Sequence, residues 1–171
     1  MSRTSKGYTL VEMLIYIALI ALLFGALAAV VSQVSRSERR ARAFLDINSA
    51  AVSAFSRFSR DIRRATSVDV INSTLAASSG KLALVMKDAQ GTSSTTKFYL
   101  SDGVVKVDDN GVYSGDVTSD NMEVSNLTFW KFSQGSTTAV RIEMTLAPDA
   151  STTVPALNFY GTFVLRGSYL E

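Results

Sequence analysis

The 171-residue sequence predicts an α+β protein in which one long N-terminal α-helix packs on a C-terminal antiparallel β-sheet. Residues 26–71 contain neither glycine nor proline, and their larger apolar side chains recur at the spacing of one helix face. Beyond residue 80, apolar and polar side chains alternate between clusters of turn-forming residues, which is typical of strands. These two periodicities place the helix before the sheet.

The helix is predicted to begin with a membrane-spanning part. Met13–Val31 is a run of nineteen residues without a charge. At about 1.5 Å of rise per residue the run is about 28 Å long, close to the ~30 Å hydrocarbon core of a bilayer. The chain before it is basic, with Arg3 and Lys6 and no acid before Glu12. A carboxylate at the edge of a membrane span is costly without a partner, so Glu12 is a candidate functional residue.

The segment from Lys6 to Glu12 reads KGYTLVE, and the uncharged run follows it directly. This combination resembles the prepilin leader of type IV pilins and type II secretion pseudopilins. The resemblance implies that a membrane prepilin peptidase cleaves between Gly7 and Tyr8 and methylates the new amino terminus of Tyr8. It also implies that Glu12 pairs with the methylated amine of the adjacent subunit during assembly. The family most often has phenylalanine where this chain has Tyr8.

This segment has two other interpretations. A plain signal-anchor helix would place Glu12 at the membrane interface without a further role. An ordinary secretory signal would be cut after Ala26-Leu27-Ala28, which has the small-x-small pattern of a signal peptidase site. The position of Glu12 favours the pilin-like interpretation over both.

The resemblance implies a pilin fold and divides the chain into four parts. These are a leader peptide at residues 1–7, a transmembrane and assembly helix at 8–31, an amphipathic stalk helix at 32–71 and an antiparallel β-sheet domain at 72–171. Residues 1–71 carry ten Lys or Arg and five Asp or Glu, whereas residues 72–171 carry seven and ten. The positive leader suits a single span whose short basic end stays in the cytoplasm.

The helix is predicted to run from about Thr9 to Thr66 and to bury one apolar stripe against the sheet, because a helix of this length is not stable in water unless one face is covered. The stripe is predicted at positions spaced seven, four, three, four and three apart: Phe44, Ala51, Phe55, Phe58, Ile62 and Ala65. Three further residues are predicted to widen it: Leu45, Ile47 and Val52.

Two arginine-rich segments lie on this helix. Ser32–Arg42 has few large apolar residues and is interpreted as a solvated bridge, with lipid phosphates or acidic neighbours as the alternative contacts. The second segment surrounds one aspartate with four arginines: Arg57, Arg60, Asp61, Arg63 and Arg64. Arg57 and Asp61 are four residues apart and are predicted to pair on the surface. Phe58–Ala65 resembles the end of the stalk helix in J-type minor pseudopilins. DNA capture by these arginines is a less favoured alternative.

Six strands are predicted, at residues 81–87, 97–101, 104–107, 122–132, 139–146 and 157–165. Asp102-Gly103 is a strong hairpin signal between the second and third, while residues 89–96 and 108–121 are predicted loops. The fourth strand is expected to have a bulge near Ser125-Asn126 and to turn four residues inward: Val124, Leu127, Phe129 and Phe132. Trp130 is either exposed at a subunit contact or packed on the stalk helix. The last three strands resemble the sheet of a J-type minor pseudopilin.

The composition offers little to a catalytic mechanism. The sequence contains no histidine and no cysteine, which removes the usual general base, the commonest metal ligand and any disulfide. No enzyme activity, cofactor or metal is therefore expected. Asp108, Asp109 and Asp116 could offer oxygen ligands to calcium, although their spacing differs from that of an EF-hand. A solvated acidic loop is the favoured interpretation of this segment.

The function expected from these features is structural. The chain is expected to be a minor subunit of a type IV pilus or type II secretion pseudopilus, first inserted as a single-pass protein in the inner membrane. Its expected partners are prepilin peptidase, other pilin or pseudopilin subunits and the inner-membrane assembly platform. A pilus-tip module that binds DNA, a surface or a secreted substrate is the alternative, and a membrane-anchored enzyme is disfavoured.

Overall fold

The computed structural model describes residues 7, 9–87, 90–148 and 154–166. In this part of the chain it contains one helix, α1 (Leu10–Arg64), followed by strands. The strands are β1 (Ser67–Val68), β2 (Lys81–Lys87), β3 (Ser93–Ser101), β4 (Val104–Asp109), β5 (Val112–Asp116), β6 (Met122–Gln134), β7 (Thr137–Pro148) and β8 (Leu157–Val164). The chain divides into two compact units, Met1–Ala41 and Arg42–Glu171, and α1 contributes to both.

The first unit consists, within the described residues, of the N-terminal part of α1. Its large apolar side chains are exposed all around the helix. In the described part of the chain, α1 is the single helix long and apolar enough to cross a membrane. A signal sequence near the N-terminus would meet the same requirement of length and composition.

In the second unit, α1 buries a stripe of small and large residues against the strands. The buried apolar positions are Ala43, Ile47, Ala51, Ala54, Phe58 and Ile62. The predicted stripe is therefore right from Ala51 onward, and Ile47 belongs to it. It is wrong for three residues that are exposed: Phe44, Leu45 and Val52. Their positions lie off the line of the alanines, whose small side chains let the helix approach the strands closely.

The strands form two antiparallel sheets. One has five strands in the order β1-β2-β3-β4-β5, and the other has three in the order β6-β7-β8. The predicted α+β pilin-like arrangement of a long helix packed on antiparallel strands is confirmed, although the sheet is divided in two. Phe58 of α1 contacts both sheets, because its ring centroid lies 5.0 Å from that of Phe98 in β3 and 6.0 Å from that of Phe129 in β6.

Two tight turns define the five-stranded sheet. Asp102 and Gly103 have φ values of 55° and 74°, which confirms the predicted hairpin between β3 and β4. Asn110 and Gly111 make a second such turn, with φ values of 53° and 80°, between β4 and β5. The prediction of an irregular loop over residues 108–121 is therefore wrong for β5. The predicted loop at 89–96 is also too long, since β3 begins at Ser93.

The three-stranded sheet follows its predicted pattern except at one end. The pairing of β6 with β7 shifts between Val124 and Asn126, which confirms the predicted bulge. Leu127 and Phe129 are buried, but Phe132 is 52 % exposed and its predicted inward position is wrong. Beyond the bulge the odd-numbered residues face the core, so Phe132 lies with Trp130 on the opposite face. Trp130 is partly exposed there, and a subunit contact at Trp130 stays a prediction.

Candidate functional site at the start of the helix

The candidate site is the junction between the leader and α1. Gly7 is exposed and lies outside any helix or strand, and α1 begins three residues later at Leu10. Among the described residues, no heavy atom lies within 4 Å of the position that a Cβ on Gly7 would occupy. Packing against this part of the chain therefore does not require glycine here. Tyr8, the predicted methylation site, lies outside the described residues, as does the predicted leader segment Met1–Lys6.

Thr9 caps the N-terminus of α1. Its hydroxyl Oγ1 accepts a hydrogen bond from the backbone N–H of Glu12 at 3.3 Å, and its carbonyl accepts from the N–H of Met13 at 3.2 Å. A threonine three residues before a glutamate is the sequence pattern of a capping box. The cap fixes the first helical residue at Leu10, so that the bond predicted to be cleaved stays outside the helix. The Thr-x-x-Glu pattern is the sequence signal that identifies this cap.

Glu12 lies in the first turn of α1 and is half-buried. A carboxylate in the first turn is stabilised by the helix dipole, typically by about 0.3–1 kcal/mol. One of its oxygens, Oε1, accepts a hydrogen bond from the hydroxyl of Tyr16, one turn further on, at a long 3.4 Å. Among the described residues, no Lys or Arg pairs with this carboxylate. Within this part of the chain, the carboxylate therefore lacks the cation that its position beside the apolar run demands.

The acidic residues proposed as weak calcium ligands have other partners. Asp108 accepts a hydrogen bond from the hydroxyl of Tyr99 at 3.0 Å, and Asp116 accepts one from the hydroxyl of Tyr113 at 2.8 Å. These bonds are the main reason that the pKa of each tyrosine is raised. Asp109 accepts from Thr96 Oγ1 at 2.8 Å. In the described residues, no three acidic side chains are grouped in a way that suits a metal ion.

The arginine-rich end of α1 contains an ion pair rather than a uniform positive surface. Arg57 Nε lies 2.6 Å from Asp61 Oδ2, and the Asp61 side chain is only 8 % exposed. The predicted pairing of these two residues is confirmed, but it is partly buried rather than on the surface. Arg60 lies 3.9 Å from the other oxygen of Asp61. This arrangement neutralises part of the positive charge on which DNA capture by these arginines would depend.

Residues 2–28 match the family model described as the prokaryotic N-terminal methylation motif. The match contains Gly7, Tyr8, Glu12 and most of the uncharged run. It supports a type IV pilin-like family and indicates a pilin or pseudopilin that is processed by prepilin peptidase and assembles with other subunits. It also favours a structural subunit, and together with the apolar helix it suits a single-pass anchor in the inner membrane. No curated protein and no solved structure matches the chain.

Proposed function

We propose that this chain is a minor subunit of a type IV pilus or type II secretion pseudopilus, cut after Gly7 and methylated on Tyr8. The observation that carries the proposal is the position of Glu12. It is a carboxylate without a cationic partner among the described residues, at the head of a helix long enough to span a membrane, inside the matched methylation motif. The resemblance of Phe58–Ala65 and of the last three strands to J-type subunits supports the minor role.

In this proposal, Glu12 selects the position of the next subunit. The methylated amine of an incoming Tyr8 is a cation of the kind that Glu12 lacks, and both charges would meet in the low-dielectric surroundings of packed apolar helices. An unpaired charge there is strongly unfavourable, and breaking such a pair by removal of one partner costs about 3–5 kcal/mol. A subunit out of position would leave both charges unpaired.

The proposed division of labour follows the chain. The leader at residues 1–7 is removed, the helix at 8–31 anchors and assembles the subunit, the stalk at 32–71 connects it to the domain at 72–171, and that domain is exported. The inner-membrane assembly platform would receive the processed chain. The proposal assigns no cofactor to this role.

N-terminal sequencing of the chain purified from membranes tests the proposal. We expect a single N-terminus at methylated Tyr8 in cells with prepilin peptidase, and an uncut chain in cells without it. A Gly7→Leu variant should remain uncut, whereas Gly25→Leu, in the uncharged run, should be processed normally. A mature N-terminus near Ala29 in peptidase-positive cells would show ordinary secretion instead, and an uncut chain in those cells would show a simple signal anchor.

A tip module that binds a ligand is the second candidate function. The observation that favours it is the outer face of the three-stranded sheet, where four apolar side chains are exposed: Trp130, Phe132, Tyr160 and Val164. The charged groups between them, Arg141 and Glu143, pair with each other at 2.7 Å. Since this pair has no net charge, the face suits an uncharged ligand better than a nucleic acid.

A further inference from the structure

The two sheets have four edges, and three of them are protected against pairing with another strand. β1 has only two residues. β5 has five residues, and its pairing with β4 contains a shift in register. The outer edge of β6 is bonded to the preceding loop, since Ala76 N donates to Phe129 O and Gly80 N donates to Leu127 O. Short strands, irregular pairing and covering loops are common ways of protecting a sheet edge.

The fourth edge, β8, has none of these protections. It spans eight residues, pairs with β7 without a shift in register, and contains no charged residue and no proline. Because Leu165 N donates to Thr138 O, the odd-numbered residues of this strand bond to β7. The backbone N–H and C=O groups of the even-numbered residues point away from β7. Within the described part of the chain, nothing pairs with these groups in four residues: Asn158, Tyr160, Thr162 and Val164.

The sequence of this edge reads the same in both directions at every second residue. Residues 157–165 are LNFYGTFVL, so that leucine, phenylalanine, glycine, phenylalanine and leucine follow one another at the odd-numbered positions. In an antiparallel pair of two such strands centred on Gly161, each of these residues lies opposite its own kind in the second copy. These are the non-hydrogen-bonded positions of the new pair, where facing side chains are closest. The facing pairs are Leu157 with Leu165, Phe159 with Phe163, and Gly161 with Gly161.

The same alignment satisfies the unpaired backbone groups of β8. It places Tyr160 opposite Thr162, and Asn158 opposite Val164, at positions where the two facing residues exchange hydrogen bonds. An aromatic residue opposite a β-branched residue is a favourable cross-strand pair, and no like charges face each other because the strand has none. Any other antiparallel register would leave at least one of the four residues without a partner inside β8.

The apolar surface at this edge is only partly covered by the chain itself. On the inner face, Phe159 and Phe163 are half-buried. Phe55 of α1 is half-buried as well, and its ring contacts Gly161 and has its centroid 6.3 Å from that of Phe163. On the outer face, Tyr160 is 61 % exposed. A second copy in the antiparallel alignment would continue this aromatic surface across the edge and remove part of it from water.

We propose that β8 pairs antiparallel with β8 of a second copy of this chain, centred on Gly161, and joins two three-stranded sheets into one of six strands. A two-fold axis at Gly161 relates the copies, so the contact closes after two copies and reverses the direction of α1 between them. A filament grows instead by a contact that repeats without closing. The pairing is therefore separate from the assembly role of Glu12, and it can join copies in two filaments but not neighbours in one. Since one strand edge is a small interface, the dimer should be weak and reversible.

Disulfide cross-linking of the full-length chain in detergent micelles tests this alignment, since the chain has no cysteine of its own. In the proposed pair, the Cα atoms of residue 158 in one copy and residue 164 in the other lie about 5.5 Å apart, within the range that a disulfide spans. We expect a mixture of Asn158→Cys and Val164→Cys to form a linked dimer about ten times faster than either variant alone. In each variant alone, the two cysteines would be six residues, about 20 Å, apart along the strand.

A second mixture is the matched control for the register. Asn158→Cys with Tyr160→Cys would place the cysteines of two copies about 14 Å apart along the strand, and this mixture should not cross-link. Equal rates in the two mixtures, or no cross-link in the first, would overturn the proposal. Glu12→Ala should leave cross-linking of the first mixture unchanged, so that failure of this pairing and failure of the assembly role are distinguished.

A pair of variants at one position tests whether the backbone makes the contact. Thr162→Pro lacks the outward N–H that would donate to Tyr160 of the second copy and that β7 does not use, whereas Thr162→Val keeps it. In the first cysteine mixture, we expect the proline to lower the cross-linking rate about tenfold and the valine to leave it within about twofold. Equal rates with proline and valine would contradict a contact made by the backbone.

Hydrogen exchange of the wild-type chain gives a measurement that does not depend on how the proline variant folds. Protection of the amides of Tyr160, Thr162 and Val164 should rise with protein concentration, while that of Phe159 and Phe163 should stay constant. Protection of the even-numbered amides that is the same at every concentration would show that another part of the same chain covers the edge. That result, or no protection at any concentration, would overturn the proposal.

Discussion

The two units of the chain differ in how far their large apolar side chains are exposed. In the first unit, every large apolar residue from Leu10 to Val34 is at least 47 % exposed. Among the described residues of the second, twelve large side chains are less than 2 % exposed and pack against one another. The second unit therefore supplies its own core. The first specifies a helix and an apolar surface, and it depends on lipid or on other helices to cover that surface.

Substitution of one phenylalanine in each unit should give the largest contrast. Phe58→Ala removes the ring that contacts both sheets and should lower the free energy of unfolding of the second unit by about 3–5 kcal/mol. Phe24→Ala, the matched change in the exposed part of α1, should leave it within about 0.5 kcal/mol of wild type. Chemical denaturation in detergent, followed by the fluorescence of Trp130, measures both. Similar losses in the two variants would show that the units do not fold independently.

Removal of the carboxylate at the head of α1 should affect assembly and not folding. Glu12→Ala should be cut after Gly7 at the normal rate and keep its unfolding curve, but its recovery in sheared filaments should fall to background. The physical reason is the loss of about 3–5 kcal/mol of pairing with the neighbouring amine. Glu38→Ala, in the solvated part of the same helix, is the control and should be incorporated normally. Normal incorporation of Glu12→Ala contradicts the proposed role.

The partly buried ion pair on α1 should contribute less than the core. Asp61→Asn keeps the shape of the side chain but leaves Arg57 without its carboxylate partner, so the free energy of unfolding should fall by about 1–3 kcal/mol. Asp46→Asn, at an exposed position on the same helix, should change it by less than about 0.5 kcal/mol. Denaturation of the two variants side by side measures the difference. Equal stabilities would mean that the pair makes no net contribution.

The smallest effects should come from exposed carboxylates in the second unit. Hydrogen bonds from the Asn72 side chain and backbone lower the pKa of Asp69, and a hydrogen bond from Ser101 followed by the charge of Lys106 lowers the pKa of Asp102. A depressed carboxyl pKa stabilises the fold above the unfolded pKa, and this stabilisation is lost as the pH falls through the folded value, below about pH 4.

Carbon-detected NMR titration of the full-length chain measures these two carboxyl groups individually. Asn72→Ala should raise the pKa of Asp69 toward its ordinary value and leave that of Asp102 unchanged. Ser101→Ala should raise the pKa of Asp102 and leave that of Asp69 unchanged. If neither variant changes the pKa of the neighbouring aspartate, the hydrogen bonds are not the cause of the lowered pKa values.

Much of the fold follows from the sequence because its signals are local. The uncharged apolar run and the stretch without glycine or proline at residues 26–71 predict α1, and alternation of apolar and polar residues predicts the strands. Asp102-Gly103 predicts a turn whose positive φ values few other pairs tolerate. The same reasoning applied to Asn110-Gly111 would have predicted β5, but the surrounding aspartates suggested a loop. The candidate site is local as well, since its residues lie within one short segment.

The remaining features depend on contacts between distant parts of the chain. The face of α1 that packs on the strands depends on side-chain size. The small side chains of Ala43 and Ala54 are buried there, whereas the larger Phe44 and Val52 are exposed. Phe132 is exposed because it lies, beyond the bulge in β6, on the face of the sheet opposite the core. The burial of Asp61 and the exposure of the β8 edge depend on how the elements pack, which periodicity does not show.

The contact of one aromatic ring with two separate sheets has a mechanical consequence. Because Phe58 packs on both Phe98 and Phe129, tension applied along the C-terminal part of α1 must act on both sheets at once. Neither sheet can peel from the helix without exposing the ring that also holds the other. When the helix is pulled out of the second unit, its contacts with the two sheets should therefore break in one step. A force measurement should show a single peak rather than two.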